Sequence, residues 1–389
     1  MKSNRNDAFQ DKSIKVPFVV PNIDNSDKKA IITALQSNLL TDGPALRKFE
    51  NSFCDLTGSK YAVGVSNATS ALQLSLKSLE IGKGDEVIIP DMTFVATANA
   101  VLFTGATPVL ADVNEDDLNI SINSIEKSIT KKTKAIIPVH FAGKSCDMKN
   151  IVKIAKKYNL KIVEDCAHAI GTKYEKKHVG TFGDTGCFSF YPTKNLTTFE
   201  GGMIITQTKK IADDLRSVRN HGITKSLKQR FTKGHPWDFD INKMGYNCRL
   251  DEIRSALGLN QLKRLKKMNK LRQNACKYYN TKLKNIDGIS IPDYSNLFDN
   301  SCHLYVVKIQ KKYTLSRNKL FEKLLKNGIR TSVHYKPLHE FRLYKVSCKI
   351  YSSLNNSKLL YNQILSLPLF PKISKRELDI VINALKNNQ

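Results

Sequence analysis

Residues 162 to 168 read Ile162-Val163-Glu164-Asp165-Cys166-Ala167-His168. A short apolar run that ends abruptly in acids describes a strand buried on both faces, with a carboxylate at its carboxyl end. Similar β-branched runs recur at Tyr61 to Val65, Glu86 to Ile89, Val109 to Asp112, Ala135 to Val139, Lys161 to Glu164, Cys187 to Phe190 and Met203 to Thr206. Helix-like stretches separate them: Leu72, Leu76 and Leu79 mark one apolar face, and residues 147 to 158 read as a helix before Asn159. The alternation predicts an α/β domain with a mainly parallel central sheet, and places a ligand at the carboxyl ends of its strands. Asp165 then lies at the carboxyl edge, where an unpaired carboxylate is costly. It is expected to face a cation, unless it simply caps a helix.

From Arg249 the pattern changes to one long charged helical stretch. Its apolar side is Leu250, Ile253, Leu257, Leu262, Leu265 and Leu271; Lys263, Arg264, Lys266, Lys267 and Arg272 read as a solvated basic face. A smaller α+β unit follows, with a strand from Leu304 to Ile309 and a helix capped by Ser316, lined by Leu320 and Leu324 and stopped by Gly328. The expected organisation is a loose polar arm over residues 1–15, a large domain over 16–250 and a small C-terminal domain over 251–389. Without a Pro-rich or low-complexity linker, the two lobes should pack tightly.

The 389 residues are 41% hydrophobic and 25% charged, which supports a large packed core and argues against disorder. Lys and Arg total 62 against 35 acids, a net +27 that first suggests an anionic partner such as nucleic acid. The cations, however, are spread along the chain, and no helix-turn-helix or aromatic-basic platform stands out. The eight cysteines lie far apart with no zinc-ligand spacing, so reduced thiols in a cytoplasmic protein are the simplest reading. No signal peptide or bilayer-length apolar run is visible. Gly143-Lys144-Ser145 resembles the end of a P-loop, but Pro138 stands where that motif needs its first glycine. Gly180, Gly183 and Gly186 have the wrong spacing for a dinucleotide loop and read as a turn.

Two further strand ends carry unusual polar residues. Val65-Ser66-Asn67-Ala68-Thr69-Ser70 runs a strand into a helix through small side chains. Free backbone N–H groups and the positive dipole end there suit a phosphate, or else Ser66 or Asn67 is an ordinary N-cap. Ser189-Phe190-Tyr191-Pro192-Thr193-Lys194 sets a lysine between an aromatic strand and the Gly201-Gly202 turn, where desolvation would lower its pKa as an imine-forming amine requires. Alone it would be one surface lysine among many. Together, the small-residue loop, Asp165, Ser189 and Lys194 match what pyridoxal phosphate needs: a phosphate anchor, a carboxylate for the ring nitrogen and an amine for the aldehyde.

With these features the sequence resembles the sugar aminotransferases of the DegT/DnrJ/EryC1/StrS family, which have the PLP-dependent transferase fold type I. The resemblance runs over nearly the whole chain, through Leu40-Thr41-Asp42-Gly43-Pro44, Gly84 to Pro90, Thr93-Phe94-Val95-Ala96-Thr97, Gly105 to Val109, Asn220-His221-Gly222, Gly245 to Arg249 and Leu367 to Pro371. It implies that Lys194 joins the cofactor aldehyde and shuttles a proton, that Asp165 holds the ring nitrogen protonated, and that Thr69, Ser70 and Ser189 hold the phosphate. It further implies that Phe94 stacks on the ring, that His168 stands near the ring hydroxyl where many members carry glutamine, and that Asn247 reaches in from a second subunit of a homodimer with shared active sites. Asn67-Ala68-Thr69 replaces the more usual Ser-Gly-Thr, which is tolerable if Ala68 stays in the right-handed region. Lys194 argues against the dehydratase branch, which carries histidine there. The implied reaction moves an amino group from glutamate to a nucleotide-linked keto-deoxysugar, a 4-keto sugar in preference to a 3-keto sugar, for amino-sugar and surface-polysaccharide biosynthesis. A basic DNA-binding or regulatory protein is the rival from another class.

Overall fold

The computed structural model describes residues 13–223, 235, 237–293 and 296–388. Of the arm expected over 1–15, only Ser13 to Lys15 lie among them; the Lys15 and Val16 amides both donate to Gly328 O. The strands are β1 Tyr61–Val65, β2 Glu86–Pro90, β3 Thr107–Ala111, β4 Thr133–Ile136, β5 Lys161–Asp165, β6 Lys173–Tyr174, β7 Lys177–His178, β8 Thr185–Ser189, β9 Gly202–Thr206, β10 Ile289–Ser290, β11 Tyr305–Ile309, β12 Lys349–Ile350 and β13 Ile364–Leu367. Eight of them form one sheet in the order β1-β9-β8-β5-β4-β2-β3-β12. Its pairings are parallel except at β9, which runs antiparallel to both β1 and β8. Each apolar run read from the sequence falls within one residue of, or overlaps, one of these strands, because strands covered by helices on both faces carry uninterrupted apolar side chains. Val63, Val65, Val87, Ile89, Leu110, Val163 and Ile204 are all buried in one cluster with Leu72 and Leu76 of the helix Ala68–Ser78.

A three-stranded antiparallel sheet, β10-β11-β13, has its own core with Tyr279, Leu283, Leu320, Leu324 and Leu385. Ser316 caps the helix Arg317–Lys326 through Lys319 N, and Gly328 follows its end at φ +79°. The chain passes between the two sheets more than once. Val16 packs in the smaller core, while β12 pairs with β3 and Leu338, Tyr344 and Leu354 join the larger one. No helix among the described residues is long and apolar enough to cross a membrane, and all eight cysteines are free thiols.

The basic stretch after Arg249 departs from the sequence reading. It is two helices, Glu252–Leu262 and Leu265–Leu283, with the break at Lys263 and Arg264. Lys263, Lys266 and Lys267 face water as expected, but Leu271 is exposed and Arg272 is buried. The Arg272 guanidinium donates to His303 O and Leu369 O, and burial pushes its pKa down to about 10. Carbonyls from distant loops accept from one terminal nitrogen, while Nε has no partner among the described residues, and no helical period could reveal that placement.

Candidate active site

The register of the large sheet gathers the strand ends. Val65 pairs with Gly202, and Gly202 pairs in turn with Ser189, so the loop leaving β1 and the end of β8 flank one glycine. A Cβ on Gly202 would lie 2.7 Å from Asn67 C, so only glycine lets that loop approach. Asn67 caps the helix Ala68–Ser78 by accepting from Ser70 N at 2.8 Å, and Ala68 is helical, as the alanine there requires. Thr69 and Ser70 are half-buried in the first turn, with Ser70 Oγ 3.3 Å from Ser66 Oγ. Hydroxyls, free amides and a helix N-terminus thus share one spot, with Ser189 two strands away across Gly202.

Asp165 ends β5, pairs with Cys187 of β8, and is 5% exposed. One oxygen accepts from Thr97 Oγ1 at 3.0 Å and the other from Ala167 N at 3.1 Å. Among the described residues no cation forms an ion pair with it, against expectation; the local bond to Ala167 closes a turn and caps no helix. Burial raises its pKa, opposed by those two hydrogen bonds and by the Lys194 and His140 charges. The adjacent Glu164 points elsewhere. It accepts from Gly180, Phe182 and Gly183 amides, and from His140 Nε2, since Cys146 N donates to His140 Nδ1. His140, Glu164 and Cys166 cluster closely enough to hold an ion, but those bonds already use the carboxylate and both imidazole nitrogens.

Lys194 is half-buried, and desolvation pushes its pKa down to about 8 although Asp165 draws it upward. Beside it lies a cavity lined by Phe18, Thr193, His303, His334 and Tyr335. His168 is buried, and its Nε2 meets Tyr335 Oη at 3.0 Å while Nδ1 has no partner. Burial, then the Lys194 and His334 charges, hold its pKa well below the usual imidazole value, so it is neutral at neutral pH. Phe94 stands at the start of the helix Val95–Leu102, 56% exposed, its ring 6.0 Å from that of Tyr335. Asn247 is exposed and bridges backbone to Asn220.

The structure therefore brings Asp165, Lys194 and His168 within electrostatic reach, joins Phe94 to them through Tyr335, and sets Thr69, Ser70 and Ser189 at adjoining strand ends. It leaves Asn247 on the surface. Sequence reasoning gave no role to Thr97, which lay inside a quoted motif, or to Tyr335, His303 and His334. The last three come from beyond residue 300, and no local pattern ties them to strands over a hundred residues earlier.

An α/β sheet with a depressed lysine and a buried carboxylate at its carboxyl edge defines the architecture of a fold type I transferase. The family model for DegT/DnrJ/EryC1/StrS aminotransferases matches residues 21–386, and the chain belongs to that family. The spore coat polysaccharide biosynthesis protein SpsC of Bacillus subtilis is 38% identical over 375 residues, 96% of each chain. Helicobacter pylori PseC, an aminotransferase of pseudoaminic acid biosynthesis, superposes with a TM-score of 0.88 at 32% identity, covering 96% of this chain and 98% of its own. The PLP-form of Spr1654 from Streptococcus pneumoniae gives 0.87 at 30% identity, covering 96% and 98%. The chain is a sugar aminotransferase by this membership, and the family is PLP-dependent.

The residues present fit that cofactor. Asp165 is a buried carboxyl short of a cation, His168 Nδ1 is a buried polar atom short of a partner, and Lys194 is an amine partly deprotonated near neutrality.

Proposed function

We propose that the enzyme transfers an amino group from glutamate to the keto carbon of a nucleotide-linked deoxysugar, a 4-keto sugar by preference, using pyridoxal phosphate. When bound, the cofactor supplies an aldehyde for amines and a ring that accepts electrons as a Cα–H bond breaks. The observation that carries this reading is that Lys194, pushed down to about 8, lies within electrostatic reach of a buried Asp165. Asp165, held by Thr97 and Ala167, hydrogen-bonds the ring nitrogen and keeps it protonated. Lys194 would hold the cofactor through its aldehyde and, as a free amine, would take and return the proton at the substrate carbon. Thr69, Ser70 and Ser189 hold the phosphate, and Phe94 covers one face of the ring so that one bond is aligned for cleavage.

The chain acts as a cytoplasmic homodimer in which Asn247 of one subunit completes the site of the other. The two sheets belong to a large cofactor-binding domain over 16–250 and a smaller one over 251–389, stitched by the crossings of Val16 and β12. The test is incubation with glutamate and a panel of UDP-, GDP- and dTDP-linked 3- and 4-keto sugars, with mass spectrometry of the products. An aminated 4-keto sugar with glutamate consumed is expected; a product only from 3-keto sugars would move the acceptor position, and none at all would overturn the reading.

A further inference from the structure

Tyr335 lies 167 residues beyond His168 in the chain, yet its hydroxyl meets His168 Nε2 at 3.0 Å, its only hydrogen-bond partner among the described residues. The ring is also packed by Phe94 at 6.0 Å and Phe141 at 6.4 Å, which fixes where the hydroxyl points. Burial first, and then the Asp165 charge, push the phenol pKa up, so it keeps its proton. A neutral imidazole has one N–H and one lone pair. If Tyr335 donates, the lone pair is on Nε2 and the proton must be on Nδ1. The opposite arrangement leaves a buried phenol proton without an acceptor, at a cost of a lost hydrogen bond.

Nδ1 is the nitrogen that is buried and unpartnered. The ring is held by His303, whose centroid lies 4.4 Å away and whose own Nδ1 is 3.2 Å from Asn195 Oδ1. Asn195 spends both amide hydrogens on Asn269 Oδ1 and Ser301 O, so its oxygen accepts from His303. His168 is thereby immobilised with an unused Nδ1 close enough to Lys194 to feel its charge.

We propose that Tyr335 is a positioning residue: by donating to Nε2 it locks His168 as the Nδ1–H tautomer, which offers a hydrogen-bond donor to the anionic ring oxygen of the bound cofactor. This rests on the cofactor assignment above. A glutamine in that position offers a donor amide without any tautomer to fix; a histidine offers one only in its Nδ1–H form, which Tyr335 selects before the cofactor binds. The donor stabilises the deprotonated ring oxygen and so lowers the pH at which the bound cofactor changes its visible spectrum.

The test begins without cofactor. In protein labelled with 15N-histidine, the His168 signals, assigned by their loss in His168→Gln, should show Nδ1 protonated and Nε2 bare. In Tyr335→Phe, which keeps the ring packing, the protonation should shift toward Nε2 or average. In the loaded protein, Tyr335→Phe should raise the spectral pH midpoint by about one unit, the size of one hydrogen bond to a charged group, and should have no such effect on a His168→Gln background. A His168 protonated on Nε2 in the wild type overturns the proposal, as does an equal midpoint shift in both backgrounds. Failure to take up pyridoxal phosphate with the Nδ1–H signal intact instead counts against the cofactor assignment.

Discussion

In the proposed reaction Lys194 acts through its neutral amine, and burial brings that form within reach of neutral pH. Its pKa is lowered from 10.5 to about 8, so between those values the folded protein binds fewer protons than the unfolded chain. Stability contributed at this site therefore rises from pH 8 to 10.5, the reverse of a salt-bridged lysine. The rate of cofactor capture by stripped protein should climb with pH and level off above about pH 8; a climb continuing toward 10.5 in stopped-flow absorbance would show that the amine is not desolvated. Asp165→Asn should leave folding intact, since a neutral amide is easier to bury than a carboxylate, yet lower the turnover rate about 100-fold or more. Both residues are legible in the amino-acid sequence, because each follows an apolar run in a setting of small, polar or turn-forming neighbours. Thr97, Tyr335 and the histidines around them are not, since their meaning is a contact across the chain.

Helix starts show the same division. The side chains of Asn67, Ser316 and Asp147 cap helices by accepting from the backbone amides three residues on, and such local geometry can be read along the sequence. The helix Pro44–Thr57 has only Gly43 at its start and no local cap. Glu252, 2% exposed and more than 200 residues distant, instead accepts from Gly43, Ala45 and Leu46 amides at 3.0, 2.7 and 2.9 Å. A Cβ on Gly43 would fall 2.6 Å from the Glu252 carboxyl carbon, so the glycine exists for that approach. Glu252→Ala should cost about 3 kcal/mol, within the range for charge-assisted bonds to a helix start, read as a lower urea midpoint. A change under about 0.5 kcal/mol, the usual scale for surface substitutions, would show that water replaces the carboxylate. Gly222 and Gly245, quoted from separate motifs, turn out to be backed against each other, with a Cβ on Gly245 only 2.0 Å from Gly222 N. Their spacing along the chain carries no hint of it.

For the whole molecule, the exposed run Trp237, Phe239, Ile241 and Met244 leads directly to Asn247, an apolar surface suited to a second subunit. If Asn247 serves the partner's site, Lys194→Ala and Asn247→Ala proteins, each inactive alone, should regain about a quarter of wild-type activity when unfolded and refolded together, because half the dimers then carry one intact site. No recovery would place Asn247 outside the shared site. Of the cations in the basic stretch, Lys263, Lys266 and Lys267 face water, while Arg264 pairs with Asp24 and Asp27 and Arg272 serves the core. If the acceptor is nucleotide-linked as proposed, exposed lysines of this kind would speed capture of its diphosphate. The fold is legible because its strands are uniformly apolar, whereas the fate of each cation depends on partners brought in by folding.

Borohydride reduction of the protein loaded with pyridoxal phosphate asks whether one lysine carries the chemistry. Peptide mass spectrometry should find the cofactor's mass fixed to Lys194, and prior treatment with excess glutamate should remove most of that label. Label on another lysine, or on none, would contradict the account.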